Sequence, residues 1–444
     1  MTGVFMENLP LWMFVTLFFF LLIGYPVAFT IGATALGFGI IGFGFGFFEL
    51  LPIRIWSIIQ NFTLIAVPLF VFMGVTLERS GLAEELLDTM GLLFGRLRGG
   101  LAISVIVVGA LLAASTGIVG ATTVTMGLLA LPTMLRRHYQ PELATGAIAA
   151  SGTLGQIIPP SIVLVVLGDI VGVPVGSLFV GAVIPGFLLV GLYLVYVVAL
   201  GWLKPEAAPA LTSDPENVIP RAELMRRVLR SLVPPAALIV AVLGSIFVGL
   251  ASPTEAAALG AFAALALTAF NRKLTKKMLL EVMRTTTALT SMVFIILVGA
   301  AVFGLVFRGM GGDDQVRNVL NEWALGPWGE LILVNAALFF AGFFLDFIEI
   351  TFIFVPVIAP LLIRQGFDPL WFSVLIAVNL QTSFLTPPFG YALFYLKSVA
   401  PEGVTTGHIY RGIIPFVVLQ VLGLGLVALY PGLVTWLPSV LFGK

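Results

Sequence analysis

The stretch Ala149–Ser161, AASGTLGQIIPPS, interrupts a long apolar segment with Pro159-Pro160, and Ala377–Gly390, AVNLQTSFLTPPFG, does the same with Pro387-Pro388. The two pairs stand 228 positions apart. The same offset places Pro132 on Pro360, Arg136 on Arg364, Pro141 on Pro369, Ile148 on Ile376 and Ala149 on Ala377. Pro234-Pro235 shows that one matching pair arises easily by chance, whereas a run of matches at one offset does not. Interrupted membrane helices at corresponding positions of two halves are the mark of a secondary transporter with its binding site at the breaks.

Composition sets the solvent. Of 444 residues 59% are hydrophobic and 10% charged, and mean hydropathy is +1.12, against about 25% charged residues in soluble domains. The chain is therefore read as an all-α polytopic protein of the lipid bilayer. Cysteine is absent, which excludes disulfides and thiolate metal sites. Lys+Arg 22 balances Asp+Glu 22, so nothing favours nucleic acid as a partner. No H-E-x-x-H, G-x-S-x-G or Walker pattern occurs, which argues against an ATP-driven pump or a membrane hydrolase and leaves an ion gradient as the energy source. The apolar N-terminal stretch lacks a basic lead and a small-residue cleavage site, and reads as a retained membrane segment.

A crossing helix needs about 20 apolar residues. That length predicts two short crossings within Leu11–Phe47, divided near Gly24-Tyr25-Pro26, then Arg54–Leu77, Val175–Leu200, Ser231–Leu250, Pro253–Phe270, Thr285–Phe307 and Gly412–Tyr430. Arg98–Arg137 and Gly326–Arg364 are two apolar arms around a small or polar centre and predict re-entrant hairpins. The basic loop 272–277 and the segment with Arg221, Arg226, Arg227 and Arg230 predict cytoplasmic faces. Five crossings then separate the hairpins, an odd number, so the second half is inverted relative to the first. The predicted organisation is a first repeat over 1–203 (hairpin 98–137, interrupted helix 143–172), a cytoplasmic linker 204–230, and a second repeat over 231–444 (hairpin 326–364, interrupted helix 369–399). Leu82–Phe94 and Asp313–Trp323 are amphipathic and predict surface helices that follow a crossing in each repeat.

The chemistry gathers at the breaks and hairpin centres. A Pro-Pro pair removes backbone donors and leaves carbonyls without helical partners, and in hydrocarbon such groups must be satisfied. A small cation such as Na⁺ would use them together with nearby hydroxyls and amides. The first break offers Ser151, Thr153 and Gln156; the second offers Asn379, Gln381, Thr382, Ser383 and Thr386. The first hairpin centre adds Ser115, Thr116 and Gly117, and the second adds Asp346 and Glu349 within the apolar run Phe343–Pro356. A carboxylate at membrane depth marks an ion or proton path, and Asp346 is the first choice for a charged cation ligand. Gln156, Pro159, Pro160, Ser383, Thr386, Pro387 and Pro388 are the expected substrate contacts. Glu255 in Ser252-Pro253-Thr254-Glu255 reads as a helix cap, Asp169 as a solvated outer acid, His138 and His408 as loop residues, and Gly37–Gly46 as a close-packing face.

With these residues the chain resembles the large membrane subunit (DctM type) of tripartite ATP-independent periplasmic (TRAP) transporters, over nearly its whole length. The resemblance is strongest in SGTLGQIIPPS, in Gly181–Gly186, in Ser252–Ala258 and in Thr386–Gly390. It implies an elevator-type, Na⁺-coupled importer of organic acids in the bacterial inner membrane, without a cofactor other than Na⁺ as coupling ion. It also implies two partners, a small four-helix membrane subunit (DctQ type) and a periplasmic substrate-binding protein. Sodium ligands carried over by resemblance are Ser115, Thr116, Ser151, Gly152, Asp346, Asn379 and Thr382. The second hairpin, Phe344–Ile350, is more similar to the branch linked to 2-oxo acids and other monocarboxylates than to the sialic-acid and dicarboxylate type. A stand-alone carboxylate carrier and a non-transporting structural subunit are the alternatives.

Overall fold

The structure, a computed structural model, describes residues 8–117, 119–210, 220–388 and 390–443; these form helices, with no strand among the described residues. In chain order α1 is Leu9–Ile23, α2 Val27–Phe43, α3 Leu51–Ile59, α4 Ala66–Arg79 and α5 Leu82–Phe94. The first hairpin is α6 Gly100–Thr116 and α7 Val119–Arg136, followed by the broken helix α8 Pro141–Thr153 and α9 Ile162–Val171. Then come α10 Val175–Leu203, α11 Arg221–Phe247, α12 Pro253–Phe270, α13 Lys276–Gly309 and α14 Gly312–Trp323. The second hairpin is α15 Gly326–Ala341 with α16 Phe347–Ile353 and α17 Val355–Arg364, and the second broken helix is α18 Pro369–Leu385 and α19 Tyr391–Val399. Helices α20 Thr406–Leu429 and α21 Gly432–Phe442 complete the order.

The repeat holds at the level of helix ends. Displaced by 228, the bounds of α7 fall on the start of α16 and the end of α17, and the start of α8 falls on that of α18. Pro159-Pro160 and Pro387-Pro388 are both cis and sit at equivalent breaks. Between the hairpins α10, α11, α12 and α13 are each long and apolar enough to cross a membrane, and the broken helix α8–α9 stands where the fifth expected crossing falls. The repeats also touch at equivalent positions: the Gln381 side-chain amide donates to the Thr153 hydroxyl at 3.4 Å, a contact between residues 228 apart. Such a contact is what a pseudo-twofold axis through the core produces.

The repeats are interlocked crosswise. Helix α7 packs along α19 of the other repeat, with Gly120 against the Tyr395 ring and Gly127 against Leu396 and Val399. In return α9 packs on α16 and α17. Helix α8 meets α20 through Gly146 and Gly412, each pressed against the opposite backbone, Gly146 on the Gly412 carbonyl and Gly412 on the Glu142 carbonyl. Small residues let helices approach this closely in a bilayer. A side chain at Gly412 has no flexible neighbour to displace, so Gly412→Val should destabilise the fold by about 1–3 kcal/mol. Thermal unfolding of the purified protein would show it, and an unchanged midpoint would refute this packing role.

Four expectations needed correction. The crossing placed at Arg54–Leu77 runs over Phe62–Arg79, because Pro52 starts a separate short helix, α3, and Asn61 opens a new turn by accepting from the Thr63 amide at 3.0 Å. The helix expected from Ser231 begins at Arg221, so the basic segment of the expected linker 204–230 is the first turns of α11, with Glu223 paired to Arg227 at 3.1 Å. The crossing expected at Thr285–Phe307 is the 34-residue α13, about 51 Å at 1.5 Å per residue and longer than a hydrocarbon core of about 30 Å. His408 lies in the first turn of α20, where it closes a capping box with Thr405, rather than in a loop. One further departure is internal to the repeat. The outgoing arm of the second hairpin bends by 58° between α16 and α17, where Pro356 removes the donor for the Phe352 carbonyl; its counterpart in the unbroken helix α7 is Leu128.

Candidate functional site

A cavity of about 530 Å³ lies where the two hairpin turns face α4 and α13. From the first hairpin it is lined by Gly117, Val119, Gly120, Ala121 and Val124 among the described residues, and from the second by Asp346 through Glu349. Ile162, Phe384, Tyr391 and Tyr395 come from the broken helices; Val71 and Glu78 come from α4, and Thr285, Leu289, Met292 and Val293 from α13. Three acids, Glu78, Asp346 and Glu349, share this wall, with no Lys, Arg or His among the described lining residues. They do not converge: no group of three His, Cys, Asp or Glu close enough to hold a metal ion occurs among the described residues.

Each acid is held by local geometry. Asp346 caps α16 in a reciprocal capping box: its carboxylate accepts from the Glu349 amide while the Asp346 amide donates to the Glu349 carboxylate at 2.8 Å, and the Phe347 amide also donates to Asp346 at 2.6 Å. Each carboxylate is thus tied to backbone, and both acids keep acceptor capacity toward the cavity. The preceding turn, Gly342–Leu345, is fixed by Tyr391, whose hydroxyl donates to the Phe344 carbonyl at 2.8 Å. Opposite, the Thr125 hydroxyl of α7 donates to the Glu78 carboxylate of α4 at 3.0 Å. The first hairpin turns at Gly117, whose φ of 62° is left-handed and suits glycine.

Of the predicted site residues, Gly117, Asp346 and Glu349 line the cavity. The rest lie deeper or at the breaks. Ser115, Ser151, Thr153, Thr382 and Ser383 are buried, with hydroxyls donating to the carbonyls of Leu112, Ile148, Ala150, Val378 and Leu380. Their lone pairs remain available to a cation. Asn379 donates to the Asn335 carbonyl at 2.7 Å, tying the second broken helix to its hairpin. Gly152 lies against Thr123. The Thr116 side chain lies outside what the structure describes. Gln156, Pro159 and Pro160 are sealed in the core, while Thr386, Pro387 and Pro388 are partly or fully exposed at the second break. Two carbonyls at the breaks have side-chain partners: Ser161 donates to that of Gln156 at 2.7 Å and Tyr410 to that of Pro388 at 2.8 Å.

Glu78 is the residue that sequence reading missed. It ends the apolar run Ala66–Leu77 and stands beside Arg79, so it reads as the solvated edge of a crossing. Only the packing of α4 against the first hairpin turns it toward the cavity. Asp169, expected to be solvated, is half-buried and accepts from Asn61 at 2.6 Å. Glu255 caps α12 as expected, in a box with Ser252.

Related halves that each give a hairpin and a broken helix to one core define the architecture of a multi-pass membrane permease. The chain belongs to the family described as the tripartite ATP-independent periplasmic transporter, DctM component, whose model matches residues 14–433. It is 31% identical over 399 residues to the C4-dicarboxylate TRAP transporter large permease protein DctM of Pseudomonas aeruginosa, covering 88% of this chain and 89% of that one. It is 29% identical to the sialic acid TRAP transporter large permease protein SiaM of Vibrio cholerae, covering 95% and 96%. The crystal structure of the YdaH transporter of Alcanivorax borkumensis shares the fold, with a TM-score of 0.63 at 13% identity, over 96% of this chain and 98% of that one.

Proposed function

We propose that this chain imports a small organic acid across the bacterial inner membrane, driven by a Na⁺ gradient. The observation that carries this reading is the cavity itself, in which both hairpin turns present Asp346, Glu349 and bare backbone opposite α4 and α13. A carboxylate substrate entering among three acids needs cations beside it, since like charges in a low-dielectric site repel strongly. Coupling to Na⁺ supplies them. The candidate cation set is Ser115, Thr116, Gly117, Ser151, Gly152, Asp346, Glu349, Asn379 and Thr382. At ~100 mV each Na⁺ adds ~2.3 kcal/mol, so from the potential alone two would support more than about a thousandfold accumulation of a substrate that moves no net charge, and roughly 50-fold of a monoanion.

The crosswise packing of α7 on α19 and of α9 on α16 and α17 favours movement of hairpins and broken helices as one body, an elevator motion past α4 and α13. The family description as one component of a tripartite system supports two partners, a small four-helix membrane subunit and a periplasmic binding protein that delivers substrate. Relatives named for C4-dicarboxylates and sialic acid support an acid as substrate; the second hairpin, Phe344–Ile350, favours a monocarboxylate such as a 2-oxo acid.

Vesicles reconstituted with all three components should accumulate a labelled carboxylate only under an inward Na⁺ gradient. Uptake that persists with equal Na⁺ on both sides, yet stops when the proton gradient collapses, would overturn the sodium coupling. Uptake by this chain alone would instead establish a stand-alone carrier.

A further inference from the structure

Away from the cavity, a buried polar cluster lies on the seam between the repeats. Gln381 donates through Nε2 to Thr153, but its Oε1 is fully buried and has no hydrogen-bond partner among the described residues. The Thr153 hydroxyl proton is already committed to the Ala150 carbonyl at 2.9 Å. On the adjoining face Thr123 Oγ1 rests against Gly152, buried and equally without a partner. One turn beyond Thr153, Gln156 is fully buried, and neither Oε1 nor Nε2 has a partner among the described residues. The 154–156 turn packs on both α7 and α18, with Thr123 against Gly152 and Gln381 against Thr153, so the seam collects three oxygens and one amide nitrogen whose hydrogen bonds no described residue completes.

The chemistry of the set identifies what completes it. A bare cation would take the oxygens but leave the Gln156 amide N–H groups without an acceptor. An anion would meet those N–H groups but face two amide oxygens. Water donates and accepts, and a buried water with about three polar neighbours is a stable structural component. We propose that ordered water is bound on this seam, bridging Gln156, Thr123 and Gln381. This assignment is independent of the sodium reading. It gives Gln156 and Gln381 a role in registering α7, the 154–156 turn and α18 against one another, instead of in contacting substrate or cation.

The test uses the full chain in lipid nanodiscs. A cryo-electron microscopy map fine enough to show waters should carry density bridging Gln156 and Gln381 in both Na⁺ and choline buffers. Gln156→Leu and Gln381→Leu should each lower Tm, by roughly 2 °C or more, equally in the two buffers, and the double variant should lose less than the sum. A dry seam in the unmodified protein, with Gln156→Leu raising Tm, would overturn the proposal. So would density that vanishes when choline replaces Na⁺, or a Tm loss confined to Na⁺, since either outcome makes the seam a cation site.

Discussion

Asp346→Asn should fold like the parent and lose most Na⁺-dependent uptake. Asparagine caps a helix as well as aspartate does, so α16 keeps the bond that the Phe347 amide now makes to Asp346 at 2.6 Å. What the substitution removes is the charge. A charge-assisted contact is worth about 1.5–3 kcal/mol, which corresponds to a rise of roughly 10- to 150-fold in the Na⁺ concentration for half-maximal uptake. Asp346→Ala removes cap and charge together and should be worse in both stability and transport. Glu255→Ala is the control. Glu255 caps α12 through Ser252 at 2.8 Å and is exposed, so its loss should cost up to about 2 kcal/mol of stability and leave Na⁺ activation unchanged. Initial uptake rates against external Na⁺ for the three variants decide the matter. Parent-like activation in Asp346→Asn would remove Asp346 from the cation site.

The backbone plan of this protein is written in its prolines. Pro132, Pro141, Pro159 and Pro160 recur at Pro360, Pro369, Pro387 and Pro388, and the helix ends follow that offset because proline acts locally, whatever the tertiary contacts. The chemistry is less legible for the opposite reason. Asp346 stands out as a charge in an apolar run, but its capping bond with Glu349 has the same three-residue spacing as Ser252 and Glu255. Spacing alone does not separate a ligand from a cap, and here Asp346 lines a cavity while capping a helix. Glu78 is invisible by pattern because its environment is made by α7, some 50 residues on. The prolines and polar groups of the breaks draw attention as substrate contacts, yet Gln156, Pro159 and Pro160 are sealed in the core. What meets α4 and α13 is the hairpin turns together with apolar and aromatic residues that flank the breaks, Ile162, Phe384 and Tyr391.

Substitution of Glu78 should impair transport nearly as severely as that of Asp346, by a different route. The Glu78–Thr125 bond joins α4, on one side of the cavity, to α7 of the first hairpin. The ends of α4 and α13 and the starts of α5 and α14 are displaced by 230, which places Glu78 on Arg308, whose guanidinium donates to the Pro356 carbonyl of the second hairpin at 3.4 Å. On the proposed elevator motion the first hairpin leaves α4 and this bond breaks, just as the contact of Arg308 with the second hairpin does on the α13 side. Glu78→Gln keeps an acceptor for Thr125 but removes a charge from the cavity, and should raise the Na⁺ requirement roughly tenfold for ~1.4 kcal/mol. Thr125→Val keeps the charge but removes the bond, and should shift the balance of end states with little change in Na⁺ affinity. Because the chain has no cysteine, single cysteines introduced at the cavity rim would report that balance by labelling from either side. If Glu78 works through both charge and bond, Glu78→Ala should show both losses at once, and adding Thr125→Val to it should do nothing further. Additive losses in the double variant would separate Thr125 from Glu78 and leave the acid acting on the cavity alone.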